Sequence, residues 1–70
     1  MSDSMYKVIE LIGSSTESWE QAAKSVVEEA AKHLRDLRVA EVVEQDLVIE
    51  DGKAVAYRTK LKVSFKYQAG

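Results

Sequence analysis

The apolar residues of this chain recur with three different rhythms. Between positions 19 and 37, Trp19, Ala22, Ala23, Val26, Val27, Ala30, Ala31, Leu34 and Leu37 follow the three-or-four spacing of one face of a helix. Glu20, Lys24, Glu28, Lys32 and Arg35 occupy the other face, and Glu20–Lys24 and Glu28–Lys32 fall at the i, i+4 spacing that favours ion pairs. The pattern predicts a helix of about 20 residues, roughly 30 Å long. Ser14 with Glu17, or a cap shifted to Ser15, marks its expected start. The alanines predict a close approach to whatever the helix packs on.

The last third alternates strictly. Tyr57, Thr59, Leu61, Val63, Phe65 and Tyr67 share one side of an extended chain, and Arg58, Lys60, Ser64, Lys62 and Lys66 share the other. This predicts a strand from about 54 to 67. Asp51-Gly52-Lys53 before it reads as a tight hairpin turn, because Asp-Gly tolerates the positive φ that such turns need. "RVAEVVEQDLVIE" (38–50) is the strand that the hairpin joins, and "YKVIELIG" (6–13) is a third strand that opens the chain. In 38–50 neither alternating set is cleanly polar, so a bulge is expected there, or an apolar character on both sides that one helix cannot cover.

The resulting order is β-α-β-β. A helical crossover makes the first two strands parallel, so insertion of the long last strand between them gives a three-stranded antiparallel sheet in the order 1-3-2. The fold class is therefore α+β, with the sheet wrapped on one helix. The expected domain is a single unit over 1–70, with 1–4 disordered.

Composition narrows what such a chain can do. Seventy residues with no cysteine leave neither disulfides nor thiolate metal sites to support a small core. Oligomerisation is the remaining compensation. A net charge of −2 counts against nucleic acid as a partner, and no segment is long and apolar enough to span a membrane. The polar, acidic opening "MSDSM" does not resemble a signal peptide, so a cytoplasmic location is expected. The single histidine, His33, has no nucleophile or carboxylate constellation near it in the pattern, and no nucleophile–base–orienter set can be assembled; the chain reads as non-enzymatic. Trp19 is expected in the core. The basic face of Arg58, Lys60 and Lys62 is expected to meet Glu10, Glu41, Glu44 and Asp46 across the sheet.

Gly13-Ser14-Ser15 at the end of the first strand, the alanine-rich helix, Glu41-Val42, and Tyr57 and Thr59 with a late Phe65 resemble the dodecin family in order and spacing over nearly the whole chain. The resemblance implies a hollow homododecamer and a flavin (riboflavin, FMN or FAD) held at subunit contacts for storage rather than turnover. It places cofactor contacts at Arg38, Val39, Gln45 and Arg58. Two of these positions depart from the flavin-binding pattern. Val39, or Arg38 if the alignment slips by one, stands where flavin-binding members carry a stacking tryptophan. Arg58 stands where they carry a glutamine. Valine has no π-face, and arginine offers donors only. Arg58 is accordingly the cation expected to meet a ligand instead of a carboxylate. The alternative is a flavin-free shell with a structural role or a different anionic ligand.

Overall fold

The computed structural model describes residues 5–67. The expected disorder of 1–4 lies outside these residues. Strand β1 covers Met5–Ser15, helix α1 Trp19–Ala31, strand β2 Leu37–Glu50 and strand β3 Lys53–Tyr67. β3 lies in the centre, antiparallel to both neighbours, so the order is β1-β3-β2 as expected. Asp51 and Gly52 both adopt positive φ, at 52° and 74°, and form the tight turn that the Asp-Gly pair predicts.

The helix is shorter than its apolar periodicity suggests, at 13 residues. Ser14 and Ser15 do not cap it. They remain in β1, opposite Arg58 and Tyr57, because extending the ladder satisfies their backbone groups inside the sheet. The cap is Ser18, whose hydroxyl accepts from the Gln21 N–H at 2.9 Å. Ser18 and Gln21 have the same three-residue spacing as the expected pair. The Gln21 side chain turns away to donate to Ser25 Oγ, so the reciprocal half of the capping box does not form. At the other end, Leu34 lies beyond the helix and Leu37 begins β2, opposite Phe65. Asp36, in the left-handed region at φ 59°, turns the chain between them. The expected Glu20–Lys24 and Glu28–Lys32 pairs are absent among the described residues, and Lys32 instead approaches Glu29 at 3.3 Å.

β2 is bulged, and the bulge resolves its mixed pattern. The register shifts between Val42 and Glu44, so Val43 is an extra residue and the alternation inverts there. Glu41, Glu44 and Asp46 thus lie opposite Lys62, Lys60 and Arg58 on one face. Ala40, Val42, Gln45 and Leu47 lie opposite Val63, Leu61, Thr59 and Tyr57 on the other. The strand is therefore not apolar on both sides; its carboxylates share a face.

Helix α1 packs on the second face, over β1 and β3. The core there is small: among the described residues Ala22, Leu61, Val63 and Thr59 are the fully buried side chains. A Cβ on Gly13 would collide with the Ala22 carbonyl oxygen, so glycine is needed where the helix crosses β1. The Thr59 hydroxyl donates to the Trp19 carbonyl at 2.9 Å and ties the first helical turn to the central strand. No helix among the described residues is long and apolar enough to cross a membrane.

Candidate functional site

Two surfaces of this fold present chemistry. The first is the sheet face away from the helix. Along it β3 sets Arg58, Lys60 and Lys62 opposite Asp46, Glu44 and Glu41 of β2, with Glu10 of β1 opposite Lys62 on the other side. Arg58 holds Asp46 bidentately, donating from Nε at 2.8 Å and from Nη2 at 2.7 Å. These bonds hold the Asp46 carboxyl below its ordinary pKa and raise that of Arg58. Lys60 approaches Glu10 at 3.9 Å. Two of the expected contacts form, Arg58–Asp46 and Lys60–Glu10, whereas among the described residues Lys62, Glu41 and Glu44 make no ion pair; Arg58 is the most firmly paired cation of the face and not its exception.

The second surface is a cleft of about 440 Å³ between α1 and β2. It exists because the helix sits over β1 and β3 and leaves the inner face of β2 uncovered. Ala23, Val27, Val42 and Leu61 form its apolar wall, and Gln45 and Thr59 are polar groups within it. Trp19 closes one end. It is half-buried, its indole N–H donates to the Asp46 carbonyl at 3.0 Å, and its ring meets Tyr57 edge-on at 5.0 Å between centroids. Trp19 is a rim residue of the cleft as much as a core residue. The sequence pattern did not reveal this cleft, because it depends on which strands the helix covers.

The residues assigned to a cofactor by resemblance occupy separate places within one chain. Gln45 lines the large cleft. Arg38 is the extra residue of a second bulge, between Leu37 and Val39, and lines a smaller hollow of about 130 Å³ with Val39. Val39 lies opposite Ser64 and Arg58 opposite Asp46, so six positions of β3, roughly 20 Å, separate them along the strand. Within one chain Val39 and Arg58 are therefore not neighbours.

The flavin fit can be judged from these positions. Val39 is 61% exposed and offers no ring to stack on, and the Nε–Nη2 edge of the Arg58 guanidinium is engaged by Asp46. Val39 cannot supply the stacking contact of a flavin. His33 is exposed beside Glu29, at 3.5 Å. Among the described residues no group of three or more His, Cys, Asp or Glu side chains gathers where a metal ion could be held.

A three-stranded antiparallel sheet half-wrapped on one helix, with apolar side chains left uncovered on both faces, defines a class of small α+β proteins. Within it, a family model described as Dodecin matches residues 5–68. The chain is 51% identical over 63 residues to the calcium dodecin of Mycobacterium tuberculosis, covering 90% of this chain and 89% of that one. Dodecin from Streptomyces coelicolor superposes with a TM-score of 0.91 at 33% identity, covering 100% of both chains. The solved calcium dodecin of M. tuberculosis, described as calcium-chelating with a novel calcium-binding site, superposes with a TM-score of 0.83 at 48% identity over 91% of each chain. The protein belongs to the dodecin family.

Proposed function

We propose that this chain, acting as a single domain over 1–70, is the subunit of a hollow homododecameric particle that sequesters a small ligand in the cytoplasm and does not turn it over. Neither nucleic acid nor a membrane is its partner. The observation that carries this reading is the apolar surface a lone chain leaves in water. On the helix-facing side of β2, Val42 and Leu47 are 51% and 43% exposed; on the outer face of β1, Val8 and Ile12 are 57% and 55% exposed. Uncovered apolar area of this extent on so small a core calls for further copies of the chain.

The ligand that family membership suggests is a flavin. Val39 and Arg58 make this chain a weak flavin binder. The pairing of Arg58 with Asp46 favours a second reading, a shell that holds a different ligand. The M. tuberculosis relative is a calcium dodecin. If calcium is held here too, carboxylates from more than one copy must converge, with Glu41 and Glu44 of β2 as the available oxygens.

Intact-mass measurement of the purified assembly, with sedimentation, tests the proposal by reporting copy number and bound ligand together. Twelve copies with a non-covalent small molecule or ion are expected. A stable folded monomer at micromolar concentration would overturn the particle, and a ligand consumed over time would overturn sequestration.

A further inference from the structure

The hairpin between β2 and β3 turns on Asp51 and Gly52 alone, since Glu50 already faces Lys53. Both turn residues are exposed. Apart from its chain neighbours, no atom lies within 4 Å of where a Cβ on Gly52 would stand. Among the described residues nothing hydrogen-bonds to the Gly52 N–H or pairs with the Asp51 carboxylate. The other described aspartates differ. Asp46 is held bidentately by Arg58, and Asp36 lies 4.0 Å from Arg38. Each of them is followed by a leucine, Leu47 and Leu37, whose branched side chain shields the next backbone nitrogen. Asp51 alone among the three combines a free carboxylate with an unshielded nitrogen one residue on, and glycine there leaves the backbone its widest freedom to swing toward that carboxylate.

We propose that Asp51-Gly52 is a site of spontaneous backbone rearrangement in the folded protein, where Asp51 converts to isoaspartate through a succinimide. The Gly52 nitrogen attacks the carboxyl carbon of the Asp51 side chain. A C–N bond forms, and the proton of the nitrogen leaves with the carboxyl hydroxyl as one water. Water then adds back at either carbonyl of the ring. Opening at the side-chain carbonyl restores aspartate. Opening at the main-chain carbonyl breaks the original peptide bond and leaves the chain running through the Asp51 side chain. Nothing is oxidised or reduced, and the product has the mass of the parent. The rearranged turn carries one extra backbone atom, so the pair of positive φ angles, 52° and 74°, that fits a two-residue connection to the twist of the strands is lost. The end of the hairpin should loosen as the protein ages. The inference is independent of how many copies of the chain assemble.

The test is storage of the full chain in warm neutral buffer for several weeks, then digestion and fragmentation mass spectrometry that tells the two linkages apart. An isoaspartyl methyltransferase with a labelled methyl donor gives an independent measure. Label should accumulate at position 51 and stay at background at Asp36 and Asp46. Asp51→Glu should abolish it, because glutamate must close a larger ring. Asp51→Asn keeps a pair suited to the turn and should reach the same ring faster, releasing ammonia and gaining mass when water reopens it. Hydrogen exchange over 49–54 should quicken in the aged chain in proportion to the label. A folded chain that stays unlabelled would overturn the inference. Label that forms only in chain denatured with urea would overturn it too, since the folded turn would then be shielding the pair. Equal labelling at Asp36 and Asp46 would remove the role given to the free carboxylate and the open nitrogen. Unchanged exchange in a fully labelled chain would overturn the loosening of the hairpin.

Discussion

Gly13 and Ala22 set the distance between helix and sheet. A Cβ at Gly13 would press on the Ala22 carbonyl and on the Val26 Cβ, neither of which can move without shifting the helix. Gly13→Ala should therefore cost about 1–3 kcal/mol, the usual range for forcing extra volume into a packed site. Thermal melting followed by circular dichroism checks this; an unchanged midpoint would mean that the helix crosses β1 at a greater distance. Val39 and Arg58 carry a prediction about ligand. Val39→Trp adds a ring at an exposed position, and Arg58→Gln replaces a donor already committed to Asp46 with a group that can also accept. Together they should strengthen riboflavin binding roughly 10- to 1000-fold, through stacking and one hydrogen bond. Riboflavin fluorescence titrated against both proteins, with particle size followed in parallel, decides it. Nanomolar binding by the unaltered chain would show that other residues hold the ring.

Helix and strands divide their apolar surface unequally. Ala22 is fully buried against the sheet, whereas Val27, on the same apolar stripe, is half-buried at the edge of the cleft. Two substitutions that look alike in the sequence should thus behave differently. Ala22→Asp buries a charge with no partner and should abolish folding, at a cost of several kcal/mol. Val27→Asp leaves its carboxylate within reach of water, so the chain should keep its helix and lose assembly. Circular dichroism and sedimentation on both variants distinguish the outcomes. Equal loss of helix in both would mean that Val27 is as enclosed as Ala22. The bulge at Val43 has a comparable consequence for β2. By inverting the alternation once, it gathers Glu41, Glu44 and Asp46 opposite the lysines and arginine of β3. Without it, Glu41 would lie on the opposite face from Glu44 and Asp46.

Acid should loosen the protein as a whole. The folded state holds Asp46 below its ordinary carboxylate pKa, chiefly through the two hydrogen bonds from Arg58. A depressed pKa contributes stability that is fully present above the unfolded value and lost as pH falls through the folded one. The loss therefore begins below about pH 4 and grows with further acidification. Asp46 and Arg58 are 49% and 44% exposed, so water and salt screen the pair and its individual effect is modest. Repeated in every copy of a particle, it should register as a fall in melting temperature between pH 7 and pH 3. That fall should be smaller in Asp46→Asn. High salt should weaken assembly in the same direction. A melting curve indifferent to both acid and salt would remove the sheet-face pairs from the forces that matter.

The alternation of 57–67, the Asp-Gly turn and the alanine periodicity established the β-α-β-β order and the central place of the last strand, because backbone periodicity and turn chemistry are local. The opposition of carboxylates to the basic face was legible for the same reason once the strand order was known. The sequence was less informative where local options competed. Ser14 and Ser18 offer equivalent caps, and only the ladder between β1 and β3 selected the later one. Leu34 and Leu37 fit the helical stripe, yet the turn at Asp36 and the pairing of Leu37 with Phe65 took them from it. A bulge was anticipated in β2, but its position was not, since one extra residue leaves no local mark while reversing every side chain beyond it. Gln45, Val39 and Arg58 read as one contact set in the sequence and lie in three places on the chain. The cleft beside β2 has no sequence signature either. It arises because one helix, about 10 Å wide, covers two of three strands spaced about 4.8 Å apart and leaves the inner face of the third uncovered.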